Sequence, residues 1–160
     1  MLDNAKILDL AVPATDLGVS HSYKGVTFGA YVETTDKADF VYRGANVKPL
    51  SSVHIEAGKT SSAGDLQIQW VRRGRIDQTW RDNGDVALGE SAELYDVEIR
   101  DAAGGYVIRT ISNIPVSNVV YPASQQIADF GALLSIFTVV VYQRSSIACR
   151  GFPGSAQITV

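Results

Sequence analysis

Between Leu66 and Trp70 apolar side chains take alternate positions, Leu66, Ile68 and Trp70, with Gln67 and Gln69 between them. A period of two predicts a strand with one buried face. The pattern returns at Tyr95, Val97 and Ile99, alternating with Asp96, Glu98 and Arg100, and predicts a second half-buried strand that shares the same core. An indole in mid-strand buries roughly 200 Å² or more, beyond any aliphatic neighbour, so Trp70 is the expected packing centre of a sandwich.

The same reading extends along the chain. Residues 1–47 hold short apolar runs, Ile7 to Val12, Val26 to Val32 and Phe40 to Tyr42, separated by Asp16, Gly18, Gly25, Asp36 and Gly44. They predict a small β-rich segment of a few short strands with no helix. Such a segment is too small to close a core alone and is expected to dock on the following domain or on another chain. Lys48-Pro49-Leu50 marks the boundary, because proline restricts the residue before it and cannot donate to a ladder.

From residue 48 to 160 the expected strands are Ser52 to Glu56, Leu66 to about Arg73, Tyr95 to Arg100, Tyr106 to Ile111, Val116 to Tyr121, Ser135 to Arg144 and Ala156 to Val160. The long apolar run in the sixth predicts burial on both faces in a central position. One helix is expected, Ser124 to Phe130, with Ser124 as N-cap and Gly131 as its stop. Seven strands with turns about every ten residues predict an all-β chain, an immunoglobulin-like or fibronectin type III β-sandwich behind the small β-rich N-terminal segment.

Composition adds exclusions. Hydrophobic residues make up 46% of the 160 and charged residues only 19%, so a folded chain with a weakly charged, partner-meeting surface is expected. A net charge of −3 supplies no basic field, which argues against nucleic acid as a ligand. The single Cys149 forms no internal disulfide, and no paired-cysteine metal site is present, so the fold is expected to stand without staples or cofactors. The N-terminus lacks the features of a signal peptide, and the run Ile136 to Tyr142 is far short of the roughly 20 residues that span a bilayer. The expectation is a soluble protein made without export.

Candidate chemistry is sparse. His21 and His54 have no second ligand at metal-binding spacing. Cys149 beside Arg150 lacks an evident base. Glu90 and Glu93 form a carboxylate pair only if something brings a substrate between them. Asp77, Asp82, Asn83 and Asp85 cluster without the alternation and closing glutamate of a calcium loop, and read best as a solvated turn. The residues left as a partner- or receptor-contacting loop are Arg72, Arg73 and Arg75 beside Trp80, Asp82 and Asn83; pairing of the arginines with nearby acids is the bland reading. No motif for catalysis stands in the chain, and the expectation is a non-enzyme.

Longer words of the sequence carry a resemblance. YVETT from Tyr31, VKPLSSVHI from Val47, DLQIQWVRRGRID from Asp65 and VALGESAELYDVEI from Val86 resemble the C-terminal part of tail-tip hub proteins of siphophages and gene transfer agents. YPASQQIADFG from Tyr121 is similar to that family's Y-x-A-x-Q-Q-x-ADFG element, and FTVVVYQRSSIACRGFP from Phe137 to its VYQ strand and following loop. Ser51 and Ala87 stand where the family commonly has proline, and Cys149-Arg150 where it has small residues. The resemblance implies a virion component at the distal end of a tail, made in the host cytoplasm, with a fibronectin-like domain and no catalytic residues. It implies other tail proteins (hub, distal tail or fibre) as partners, a homotrimer, and contact with a host cell-surface glycan or receptor. The alternative reading is a carbohydrate-binding adhesin module in which Trp80, Tyr106 or Tyr23 stacks on sugar rings.

Overall fold

The computed structural model describes residues 12–76 and 86–160. The chain divides into two compact units, Met1–Asn46 and Val47–Val160.

In the first unit β1 (Ser20–Lys24) and β2 (Lys37–Val41) form an antiparallel hairpin in which His21 faces Phe40 and Tyr23 faces Ala38. Single 3-10 turns lie at Ala14–Asp16 and Val32–Thr34. The apolar run Val26 to Val32 was expected to be extended; instead it forms the connection between the two strands, broken by Gly29 at φ +85°. The strand that does form, SHSYK, has too few apolar residues to show by pattern. The run Ile7 to Val12 falls almost wholly outside the described residues.

The second unit is an all-β sandwich of seven main strands: β3 (Val53–Lys59), β4 (Leu66–Val71), β5 (Tyr95–Arg100), β6 (Val107–Ile114), β7 (Asn118–Tyr121), β8 (Ile136–Ser145) and, after the two-residue β9 (Cys149–Arg150), β10 (Gly154–Thr159). One sheet runs β3-β4-β7 and the other β10-β8-β5-β6, with antiparallel pairing throughout. This three-plus-four arrangement, in which chain order alternates between sheets, is the immunoglobulin-like, fibronectin type III order. Trp70 of β4 is 3% exposed and meets Tyr95 of the facing sheet edge-on, with ring centroids 5.1 Å apart. Around that pair lie Leu66, Ile68, Val97, Ile99, Tyr121, Phe137, Val139, Val141 and Ile158. At ~25 cal/mol per Å², an indole enclosed this way stabilises the fold more than any single aliphatic side chain beside it.

The sequence reading needs correction in four places. His54 adopts φ +49° at a bulge between Val53 and Glu56, yet Val53 and Ile55 still alternate with exposed His54 and Glu56; Ser52 alone departs from the pattern and is buried. The helix α1 is Ala123–Phe130 with Pro122 at its N-cap; Ser124 is no cap, and the Ala123 amide is taken instead by Asp65 Oδ1 at 2.8 Å. Gly131 does end it, at φ +78°. Strand β5 is buried on both faces, because Asp96 and Glu98 are covered as thoroughly as Val97 and Ile99. Strand β7 begins at Asn118, two residues later than the pattern placed it.

Candidate functional site

Antiparallel strand order fixes which connections share an end of the sandwich. The loop from β4 to β5, the turn from β6 to β7 and the loop from β8 to β10 lie at one end. The β5–β6 turn and α1 lie at the other. The loop carrying the candidate residues leaves β4 at Val71 and returns to β5 at Tyr95.

The base of that loop is a zipped neck. Arg75 donates from Nε to Glu90 Oε1 at 3.0 Å and from Nη2 to Gly89 O at 3.0 Å, and the Glu90 side chain is only 4% exposed. Arg72 donates from Nη2 to Val86 O. Gly74 sits so close to the returning strand that a Cβ would stand 2.3 Å from Val86 Cγ1 and 2.9 Å from Ala87 O. Gly89, at φ +71°, turns against Ile76. Two of the three arginines thus tie the base of the loop together, Arg75 by pairing with an acid and Arg72 by bonding a carbonyl. Arg73 is exposed and makes no hydrogen bond or ion pair among the described residues. Trp80, Asp82 and Asn83 lie outside the described residues.

The remaining candidates do not converge. Glu93 accepts the Tyr95 hydroxyl at 2.8 Å while Glu90 is held by Arg75, so the two carboxylates have separate partners. Burial, with that acceptor beside it, holds the Tyr95 hydroxyl far above the ordinary tyrosine range. His21 Nε2 lies 3.2 Å from Asp16 Oδ2, in the other unit from His54. Among the described residues no group of three or more His, Cys, Asp or Glu side chains is placed to hold a metal ion. Tyr106 is 77% exposed, but at the β5–β6 turn, the opposite end of the sandwich from the neck. Tyr106 therefore cannot share a stacking platform with the neck end. No described helix is long and apolar enough to cross a membrane.

One polar cluster escaped the sequence reading. On the outer face of β5, Arg150 donates from Nε to Asp96 Oδ2 at 2.8 Å and from Nη1 to Glu98 Oε1 at 2.6 Å, with its guanidinium carbon 4.7 Å over the Tyr142 ring. Arg100 donates to Glu98 Oε2 at 2.7 Å and to Gly104 O at 3.0 Å. Burial pushes the Glu98 carboxyl up, yet the two guanidinium partners outweigh it and hold the group below its ordinary value. Cys149, exposed at φ +59°, has as neighbour an arginine already committed to this cluster. Below it an open groove of about 610 Å³ runs past Arg100, Gly104, Thr138, Tyr142 and Ser155. Its polar side chains brace the fold, with Thr138 Oγ1 and Gln157 Nε2 both donating to Ala102 O. The signal that would have found the cluster is an acid pair at i and i+2 on a strand whose other side is fully apolar.

The segment most specific to the resemblance is likewise consumed internally. Gln126, 1% exposed, donates through Nε2 to Gly64 O and Tyr121 O, both at 3.0 Å, and accepts the Leu134 amide at 3.2 Å. The Tyr121 hydroxyl donates to Asp129 Oδ2 at 2.6 Å, and Asp129 also receives both arms of Arg109. Gly151 and Gly154 permit the last strand to pass the start of β3: a Cβ would stand 2.7 Å from Pro49 O at the first and 2.1 Å from Ser52 O at the second.

No protein-family model matches the chain, and none of the curated proteins matches it. Solved structures similar to it include an Fn3-like protein from Clostridium thermocellum, at 18% identity and a TM-score of 0.44 over 70% of this chain and 93% of the other. Another is the FN5 domain of Drosophila Lar, at 7% identity and a TM-score of 0.40 over 70% of this chain and 98% of the other. The sandwich stands on its own strand order and core.

Proposed function

We propose that the chain is a structural, non-catalytic protein of a phage tail tip or baseplate, hub- or fibre-associated, which docks to other tail proteins and presents loops to the host surface. The observation that carries the reading is the ordered series of hub-like sequence words, joined to the way their polar residues are used. Gln126, Asp129, Tyr121, Arg75 and Glu90 all serve intramolecular bonds that brace a sandwich. A scaffold needs this disposition, whereas a catalyst needs polar groups left poised toward a shared point. Docking falls to the end that carries the β4–β5 loop, where Arg73 is exposed above a neck fixed by its neighbours.

Purified particles labelled with antibody to this chain and imaged by cryo-electron microscopy test the reading. Label at the distal end of the tail is the expected result. Recovery of the chain only from infected-cell cytosol, with particles free of it, would sink the proposal. A glycan array probed with the purified chain tests the adhesin alternative, with loss of binding in Trp80→Ala as its signature.

A further inference from the structure

We propose that the N-terminal hairpin joins two copies of this chain edge to edge through β1. Among the described residues of this unit only Gly44 is buried, so the two described strands show no core of their own. Two isolated strands are marginal in water, and three or more with an apolar face are needed for independent stability.

The hairpin has an apolar side and a polar one. The register sets His21 beside Phe40 and Tyr23 beside Ala38 on one face, where Phe40 keeps 54% of its surface exposed. On the other face the Ser22 hydroxyl donates to Asp39 Oδ1 at 2.5 Å and Lys37 reaches the same carboxylate at 3.1 Å.

Backbone alternation and charge together name the partner. Tyr42 N–H donates to Val19 O, so two and four residues further on His21 and Tyr23 direct their backbone groups to β2. The amides and carbonyls of Ser20, Ser22 and Lys24 then face outward, an open edge among the described residues. A second β1 brought up antiparallel about a twofold axis at Ser22 sets Ser22 against Ser22 and Ser20 against Lys24, with no like charges opposed. The corresponding joint through β2 sets Asp39 against Asp39. Joining β1 to a neighbour's β2 in the native register sets Lys24 against Lys37. Of these three joints the twofold β1 joint alone pairs all three outward residues without repulsion, and it yields a four-stranded sheet with His21, Tyr23, Ala38 and Phe40 of both copies on one face.

Sedimentation velocity of the full chain from micromolar to hundreds of micromolar tests this directly. The expected result is a monomer–dimer equilibrium. Ser22→Pro, which removes a donor from the joint, should raise the dissociation constant about tenfold or more, while Ser22→Ala, which keeps the amide, should associate nearly as the wild type does. Because proline can disturb the hairpin itself, amide exchange on the unmutated chain supplies a second readout: Ser20, Ser22 and Lys24 amides should be protected at high concentration and lose protection on dilution. A chain that stays monomeric, that assembles as the homotrimer the resemblance implies, or whose three amides exchange fast at every concentration overturns the proposal. Tail localisation is unaffected by any of these outcomes, so the two readings fail separately.

Discussion

At the scale of single residues, glycines do the tightest work. Gly154 lets β10 pass within a backbone's thickness of Ser52, where any Cβ would overlap a carbonyl that cannot swing aside. Gly154→Ala should therefore lower stability by about 1–3 kcal/mol, read as a shift in denaturant midpoint at constant slope. Gly58, in β3, has nothing within 4 Å of its missing Cβ, so Gly58→Ala should leave the midpoint unchanged or raise it slightly. Equal effects at the two sites would contradict the close crossing. Asp129 carries a second residue-level expectation. The Arg109 guanidinium first, and the Tyr121 hydroxyl after it, hold its carboxyl below the ordinary value. A depressed folded-state pKa contributes stability that is fully present above the unfolded value, near 4, and lost as pH falls below it through the folded value. Melting temperature should thus decline on the acid side of roughly pH 4, and Asp129→Asn should make that decline shallower. An unchanged acid limb in the variant would remove Asp129 from the account.

At the scale of elements, α1 and the turn around it are knit by one side chain. Truncating Gln126 leaves Gly64 O, Tyr121 O and the Leu134 amide short of a partner in a buried setting. Gln126→Ala should cost about 2–4 kcal/mol, measured by thermal or chemical unfolding, with Gln125→Ala, at an exposed position, as the neutral control. Nothing in the helix's own sequence announces this role, since a glutamine at that spacing reads as solvent-facing. The sandwich itself was legible: alternation at Leu66, Ile68 and Trp70 and at Tyr95, Val97 and Ile99 marks residues that are all buried, and the apolar run in β8 does lie between two neighbours. Alternation misled at β5, where Arg150 arrives from far along the chain to cover Asp96 and Glu98, with Arg100 of the same strand beside Glu98. Local periodicity cannot register a long-range ion pair. The N-cap was missed for a similar reason, because Asp65, 58 residues upstream of Ala123, replaces the local cap. In the loop, the arginines were visible as a group, but only geometry separates Arg72 and Arg75, which close the neck, from Arg73, which does not.

At the scale of the whole molecule, the core formed by the described residues belongs to one of the two units. The apolar cluster around Trp70 and Tyr95 lies entirely within 47–160. A chain truncated to those residues should unfold in a single cooperative transition with a midpoint close to that of the full-length protein, followed by far-ultraviolet circular dichroism in denaturant. A broad or absent transition would show that the first unit is needed for the sandwich to hold. The neck at 72–76 and 86–90 has a further consequence. Gly74 packed on Val86, with Arg75 held by Glu90 and by Gly89 O, fixes the spacing between the two sides of the loop. A segment of other sequence grafted between residues 76 and 86 should therefore leave the melting point of the sandwich nearly unchanged, as thermal unfolding would show.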